Sequence, residues 1–196
     1  MARAKLTKPA NDLISDSGAV LWSFIKGEQL EFPITISFIP DVGAGYIYEA
    51  VVIEAYNIPG QSEPPTTIKS GGVQNTLVVR VPAMIGVWDA GSAYTQAEVV
   101  SYNGKYYELK QGIARTNATT PDLDNLWVET VLNKIYVQFP STLGSTWEVL
   151  PSVDYPSYGF FELRVTEPAN PVYQKTWKPV RGMVEVLFSP TDTVPD

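Results

Sequence analysis

The sequence predicts an all-β protein, an antiparallel β-sandwich of the immunoglobulin-like or jelly-roll-like type, with a small β module inserted into it. Three observations favour this class. The 196 residues include 16 Pro and 14 Gly, and aromatic residues reach 12%, which is typical of turn-rich β proteins. Apolar and polar residues alternate along several segments, which is the period of a strand with one buried face. No window of a dozen residues shows convincing helical periodicity.

The chain is long enough to hold one large domain or two small ones without metal or disulfide support. A change in character along the sequence predicts three parts. We expect an N-terminal arm at residues 1–19, a host sandwich formed by 20–85 together with 130–196, and an inserted module at 86–129.

The first host strand is predicted over residues 20–26, joined through Gly27 and Glu28 in a hairpin to a second strand. Along this second strand every other residue is apolar, and these residues are predicted to be core: Leu30, Phe32, Ile34, Ile36 and Phe38. Pro33 falls between them. Because Pro cannot donate a hydrogen bond to a neighbouring strand, it predicts an edge strand or a bulge at this place.

Further host strands follow from the same pattern. The run 46–56 is long and rich in β-branched and aromatic residues, which predicts a central strand. A loop rich in Pro, Gly, Ser and Thr over 58–72 separates it from a strand at 76–81. After the insert, alternation and β-rich composition predict three more strands, at 135–139, 161–166 and 183–188.

Composition excludes several classes of enzyme. The chain has no His and no Cys, so it cannot form Ser-His-Asp or Cys-His nucleophile systems, thiolate clusters, imidazole-ligated zinc sites or disulfides. Its net charge of −7 disfavours nucleic acid as a partner. The candidate acid pairs lie in predicted turns or on solvent-facing positions: Glu28 with Glu31, Glu49 with Glu54, and Asp122 with Asp124. We therefore expect no catalytic residues, no metal and no cofactor.

The N-terminal arm carries Arg3, Lys5 and Lys8. Three charges make a weak patch, so a flexible arm is favoured over a nucleic-acid site. Neither the arm nor the rest of the chain has the apolar run of an export signal or a membrane span, and no membrane insertion is expected.

The inserted segment contains the clearest local signal in the sequence. Asn103 and Gly104 stand between two β-rich runs, 99–102 and 105–109, and this dipeptide is a strong hairpin signal. It predicts a type I′ turn, in which both residues take positive φ. An insertion of this kind is tolerated at an exposed loop when its two ends lie close together.

The 44-residue insert resembles the small chitin- and cellulose-binding modules of carbohydrate-binding families five and twelve. The resemblance rests on an ordered set of positions: Trp88, Tyr94, Glu98, Val100, Tyr102, Gly104, Tyr107, Pro121 and Trp127. The family usually has Gly at the place of Ala97, and a second aromatic residue often accompanies the closing Trp, where this chain has Val128. The resemblance implies an all-β module that binds polysaccharide.

Sugar rings present aliphatic C–H patches that stack on aromatic faces, while amide and carboxylate groups bind their hydroxyls. The stacking candidates are Trp127, Tyr106 and Tyr94, and the polar candidates are Asn125, Asp124 and Glu108. The alternative is that the aromatic rings fill the core of a very small module. Tyr106 stands one residue out of register from Tyr107, so it should face the opposite side and be the more exposed ring.

The host segments resemble a class of small structural proteins of tailed-phage virions, of the baseplate, tail-adaptor or head-decoration type. The similarity lies in three stretches, 25–33, 158–166 and 179–190. It implies a virion component that assembles with copies of itself and with other virion proteins. A generic β-sandwich with similar turns remains the alternative.

Together these patterns predict a non-enzymatic virion assembly protein that displays a carbohydrate-binding-like module. Its localisation would be the virion, after assembly in the host cytoplasm, and host-surface polysaccharide would be a further partner. Aromatic residues concentrate at protein interfaces, and the candidates here are Trp22, Phe24, Tyr46 and Tyr48. The alternative is a stand-alone carbohydrate-binding accessory protein that docks polysaccharide.

Overall fold

The computed structural model describes residues 20–36, 38–39, 41–61, 63–110, 115–116, 119–152, 154–168 and 175–188. Within these ranges there is no helix, and the all-β prediction is confirmed. The predicted arm at 1–19 lies outside the described residues, as does the side chain of Phe24.

The described strands are, in chain order, β1 Val20–Ile25, β2 Leu30–Thr35, β3 Ile47–Glu54, β4 Gln74–Arg80, β5 Ala83–Val87, β6 Ala93–Tyr94, β7 Glu98–Tyr102, β8 Lys105–Leu109, β9 Arg115–Thr116, β10 Trp127–Thr130, β11 Lys134–Phe139, β12 Ser157–Thr166 and β13 Thr176–Leu187. The last strand begins seven residues before the predicted start at 183, because its first part continues the pairing with β12 from Thr176 onward.

The chain divides into two compact units. The first comprises Met1–Ile34, Ile47–Val79 and Tyr136–Asp196, and the second comprises Thr35–Tyr46 and Arg80–Ile135. The second unit contains the whole predicted insert at 86–129 and extends beyond it on both sides. The insert as a separate module stays a prediction.

A seven-stranded sheet forms most of the first unit, in the order β1-β13-β12-β3-β4-β11-β2. Strand β3 is its central strand, which confirms the prediction for 46–56. Strand β2 is an edge strand and Pro33 is exposed on it, which confirms the reading of that Pro. The sheet is mixed rather than purely antiparallel, since β1 runs parallel to β13. The all-β arrangement is consistent with a β-sandwich.

The predicted hairpin between the first two strands is wrong. β1 pairs along its whole length with β13, from Val20 beside Gly182 to Ile25 beside Leu187, and β2 lies at the opposite edge of the sheet. The pairing continues one residue further, because the backbone N–H of Lys26 donates to Leu187 O at 2.8 Å.

The core of the first unit contains a cluster of four aromatic rings. Trp22 packs edge-on against Phe161 at 4.6 Å between centroids, and Phe32 packs edge-on against Phe139 at 5.3 Å. Trp22 is only 7% exposed. This placement corrects its predicted position at a protein interface, because the buried indole packs against the rings of Phe32, Phe139 and Phe161.

The predicted core of the second strand is confirmed at Ile34 and Ile36, which are buried, but it is wrong at Phe38, which is 47% exposed. The alternating pattern fails there because the extended backbone ends before Phe38. Strand β2 ends at Thr35, and the backbone N–H of Ile39 donates to Ile36 O at 3.1 Å. The next apolar residue along the chain, Ile39, is buried instead.

Candidate functional site

The second unit holds a four-stranded sheet in the order β10-β8-β7-β5. Its centre is the hairpin of β7 and β8, which turns at Asn103 (φ 48°) and Gly104 (φ 74°). Both residues have the positive φ that a type I′ turn requires, and Tyr102 pairs directly with Lys105. The predicted hairpin is confirmed.

A second local feature fixes the entry to this hairpin. Ala97 has a φ of 68°, a left-handed conformation that favours Gly and costs roughly 1–2 kcal/mol for a residue with a Cβ. It lies in a turn closed by the backbone N–H of Glu98, which donates to Thr95 O at 3.3 Å, while the Glu98 carboxylate accepts a bond from Thr95 N at 2.6 Å. The turn therefore requires a positive φ at position 97, which Gly adopts more readily than Ala.

One face of the sheet carries a compact aromatic core. Its buried members are Tyr94, Val100, Tyr107, Leu109 and Trp127, and the partly buried side chains packed against them are Trp88, Tyr102 and Leu126. Two edge-on ring pairs lie within it, with Tyr94 and Trp127 at 5.3 Å and Trp88 and Tyr102 at 5.4 Å. The cluster of buried residues thus contains three aromatic rings, those of Tyr94, Tyr107 and Trp127.

The predicted stacking residues Trp127 and Tyr94 belong to this core. They are 5% and 3% exposed, so neither ring offers a face to a sugar in this conformation, which corrects their predicted position on a stacking surface. The Tyr94 hydroxyl is occupied as well: it accepts a bond from Asp89 N at 2.6 Å and donates to Asp89 O at 2.9 Å. Tyr94 therefore links the loop that contains Asp89 to the core through these two hydrogen bonds.

The predicted polar residues fall into different environments. Glu108 is 5% exposed and accepts a hydrogen bond from Arg80 Nη1 at 2.9 Å, as part of an ion pair. Asp124 is 7% exposed, and its carboxylate accepts a bond from Leu126 N at 3.1 Å, which shapes the turn before β10. Asn125 is exposed. Of these three side chains, Asn125 is the one open to solvent for a ligand hydroxyl.

Tyr106 projects from the opposite face of β8. It pairs with Ser101 on one side and with Thr130 on the other, and it is half-buried where Tyr107 is buried. This difference follows from the two-residue period of a strand. Tyr106 is the predicted sugar-stacking residue that keeps part of its ring exposed.

The remaining interface candidates, Tyr46 and Tyr48, are both half-buried. They belong to different units, Tyr46 to the second and Tyr48 to the first. Whether either residue contacts a partner stays a prediction.

Two features of this unit escaped the sequence reasoning. The Arg80–Glu108 pair joins residues 28 positions apart, and no spacing rule brings them together. The strand β5 is an exposed sheet edge with three exposed apolar side chains, Met84, Ile85 and Val87. The sequence shows that these residues of β5 are apolar. It does not show that they are exposed, because the position of β5 at the sheet edge depends on its pairing with a strand that lies elsewhere in the chain.

The first unit contains a buried carboxylate that the sequence reasoning placed on a solvent face. Glu54 is 1% exposed and accepts hydrogen bonds from Glu148 N at 2.9 Å, Val73 N at 3.0 Å and Lys69 Nζ at 3.2 Å. Burial acts to raise the pKa of Glu54, but these bonds outweigh it and hold the pKa below its usual value. A carboxylate stabilised in its ionised form is a poor general acid.

A second carboxylate, Glu162 on β12, lies among three cations. It pairs with Arg164 Nε at 2.6 Å, Lys178 Nζ at 3.1 Å and Arg181 Nε at 3.3 Å. Burial raises the pKa of Glu162, and the hydrogen bonds from Arg164 and Lys178 lower it further than burial raises it. The cluster is an ionic network across β12 and β13, and it too holds its carboxylate ionised.

Among the described residues, no group of three or more acidic side chains is arranged to hold a metal ion, and no helix has the length and hydropathy to cross a membrane. A scan against protein-family models, a search of curated proteins and a search of solved structures return no match to this chain.

Proposed function

We propose that the chain is a non-enzymatic structural protein of a tailed-phage virion, assembled in many copies and displaying a module that resembles carbohydrate-binding modules. The observation that carries the module resemblance is the backbone at Ala97. The resembled family usually has Gly at this position, and here the residue has a φ of 68°, which is glycine's conformation. The resemblance is therefore supported by the backbone conformation at position 97 as well as by the residue types.

The assembly part of the proposal is supported by the host sheet. Two of the stretches that resemble phage structural proteins, 158–166 and 179–190, lie largely on β12 and β13, which are neighbours in the seven-stranded sheet. The third stretch, 25–33, spans the end of β1 and the start of β2 at its two edges. The resemblance therefore maps onto one sheet rather than onto scattered loops.

In this proposal the module binds polysaccharide without cleaving it. The side chains that could meet a sugar are Tyr106, which is half-buried, and Asn125, which is exposed and carries an amide. Trp127 and Tyr94 act indirectly, by holding the sheet that presents Tyr106. The same side chains support the second candidate, a stand-alone protein that docks polysaccharide.

The oligomeric state separates the two candidates. Size-exclusion chromatography with light scattering on the full chain should give a trimer, a ring or a larger closed assembly, because a virion component repeats around a symmetric particle. A stable monomer at all concentrations would contradict the assembly proposal and favour the stand-alone sugar-binding protein.

A further inference from the structure

The first unit carries a group of charges in which cations outnumber carboxylates. Glu162 and Arg164 alternate with buried residues of β12, so they lie on the face of the sheet that points away from the core. Glu162 pairs there with Arg164, Lys178 and Arg181, whose side chains are 39%, 41% and 63% exposed. Glu49 lies beside Arg164 on β3 and offsets one further charge. These five residues, which we call the basic face, keep a net positive charge in a chain whose net charge is −7.

The two arginines of the basic face can bind a second carboxylate while they hold Glu162. Each pairs with Glu162 through Nε, at 2.6 Å for Arg164 and 3.3 Å for Arg181. A guanidinium has five N–H donors, and four of them lie on its Nη atoms. Arginine binds carboxylates with two parallel N–H···O bonds when the geometry permits. The basic face is therefore suited to the exposed carboxylates of a partner.

The loops that follow β3 and precede β12 emerge together at one end of the same sheet. Glu54, the last residue of β3, lies beside Gly159, near the start of β12. The two loops are joined there, because the side chain of Asn57 donates to Tyr158 O at 3.0 Å and accepts a bond from Tyr158 N at 2.8 Å. Arg164 lies roughly 23 Å along β12 from the first residue of that strand, so the basic face and these loops are separate surfaces.

The two loops carry exposed acids beside exposed apolar side chains. We call these residues the acidic end: Glu63, Asp154, Ile58, Leu150 and Tyr155. The two loops approach each other here, since a Cβ built on Gly60 would lie 4.0 Å from the ring of Tyr155. Apolar side chains bordered by charged ones are typical of protein–protein interfaces.

The acidic end keeps its negative charge. Residues 55–68 and 140–157 contain no Lys or Arg. Lys69, the next cation along the chain, is shared by the buried Glu54 and by Glu148. Its charge is therefore offset by two other carboxylates, and Glu63 and Asp154 remain a negative surface.

We propose that the basic face of one copy of this chain binds the acidic end of a second copy. The carboxylates of Glu63 and Asp154 meet the cations of the basic face, and the apolar side chains of the acidic end pack near Ile47, which is 52% exposed on that face. Each copy offers both surfaces, so the contact is head-to-tail and can repeat around a ring. This inference rests on the assembly part of the proposed function and names the surfaces that carry it.

Charge reversal on either surface tests the contact in the full chain. The acid-side variant is Glu63→Lys with Asp154→Lys, and the base-side variant is Lys178→Glu with Arg181→Glu. In each variant alone the two surfaces carry the same sign of charge. Self-association, measured by sedimentation velocity over a range of concentrations, should therefore weaken at least about tenfold in both.

The matched control is Asp89→Lys with Asp122→Lys. It changes the net charge as much as the acid-side variant does, on exposed residues of the second unit. This control should leave self-association unchanged. An equal loss in the control and in the acid-side variant would mean that net charge, rather than this contact, governs association.

Mixing the two variants gives the sharpest readout. The reversed acidic end then meets the reversed basic face, and the unchanged surfaces meet each other, so association between the two variants should return to within about threefold of the wild type. Circular dichroism checks that each variant is folded, because the base-side variant removes two partners of Glu162. If that variant unfolds, the acid-side variant and its control are the test by themselves.

The outcomes separate this contact from the assembly proposal. Weakened association in each folded variant and recovery in the mixture support the contact. A wild type that associates, with both folded variants associating equally well, would overturn the contact and leave the assembly proposal standing. A wild type that stays monomeric at all concentrations would overturn both.

Discussion

Trp22 and Phe32 lie on the two opposite edge strands of the seven-stranded sheet, yet their ring centroids are 6.3 Å apart. Strands β1 and β2 are separated in the sheet by five others, so this contact requires the sheet to curl until its edges approach each other. Phe139 and Phe161 complete the contact from the strands between, at 6.0 Å and 4.6 Å from Trp22. The aromatic cluster is thus what closes the first unit.

Trp22→Ala should therefore lower the free energy of unfolding by about 3–5 kcal/mol, the range for removing a large buried aromatic side chain. Urea unfolding followed by fluorescence or circular dichroism measures it. The control is Val78→Ala, whose side chain is 61% exposed and whose loss should change stability by no more than about 0.5 kcal/mol. A loss below about 1 kcal/mol for Trp22→Ala would show that this cluster does not close the sheet.

Ala97→Gly should stabilise the protein by about 0.5–1 kcal/mol. The substitution removes the cost of a Cβ at a φ of 68°, and part of the gain is offset by the greater freedom of Gly in the unfolded chain. Ala93→Gly is the control, because Ala93 is exposed on the short strand β6 and Gly weakens a strand. Thermal unfolding should shift upward for the first variant and downward for the second. Destabilisation by Ala97→Gly would contradict the role given to this turn.

Glu54 should make stability depend on pH in the acid range. A carboxyl whose folded-state pKa lies below its unfolded value, near 4.5, binds fewer protons when folded. Its stabilisation is therefore complete above about pH 4.5 and is lost as the pH falls through the folded-state pKa. Glu54→Gln should cost about 2–3 kcal/mol at pH 7, and the gap to the wild type should close progressively below pH 4.5.

The control for Glu54 is Glu148→Gln. Glu148 also pairs with Lys69, but its side chain is 71% exposed, so its loss should have a much smaller effect at every pH. The measurement is the free energy of unfolding of the wild type and of both variants, from pH 7 down to pH 3. A gap between wild type and Glu54→Gln that stays constant over this range would show that ionised Glu54 is not the stabilising species.

Arg80→Met should destabilise the second unit, because it removes the cation that lies 2.9 Å from the buried Glu108 carboxylate. Breaking a buried pair from one side typically costs about 3–5 kcal/mol. Lys105→Met is the matched control: it breaks the Lys105–Glu129 pair, in which both side chains are more than half exposed, and should change stability little. Equal effects of the two variants in urea unfolding would mean that Arg80 does not compensate Glu108.

Tyr106→Ala should weaken binding to chitin or another polysaccharide at least about tenfold, which corresponds to about 1.4 kcal/mol. Binding is measured on a glycan array and by pull-down on chitin. Tyr56→Ala is the control, since Tyr56 is 57% exposed on the other unit and its loss should leave binding unchanged. If the folded wild type binds no glycan, sugar binding by this module is ruled out.

The sequence predicts those parts of the fold that neighbouring residues decide. The turn at Asn103 and Gly104 and the alternation along β11 and β12 depend on residues within one strand or one turn, and the structure confirms them. The partner of β1 could not be predicted, because it lies about 160 residues away and runs parallel to it. Local pattern carries no information about such pairing.

The candidate site was predictable only in part, for a related reason. Strand period correctly placed Tyr106 and Tyr107 on opposite faces. It could not say whether Trp127 packs inward or stacks on a ligand, since both uses select the same residue type. The structure resolves this through Tyr94, whose ring lies edge-on to Trp127 inside the core.

Mass spectrometry of purified phage particles, after chemical cross-linking of the intact particle, tests the central proposal most directly. The proposed function predicts that this chain is recovered from the particles in many copies, cross-linked to itself and to other virion proteins. Recovery of the chain from the cleared lysate with none in the particles would contradict it.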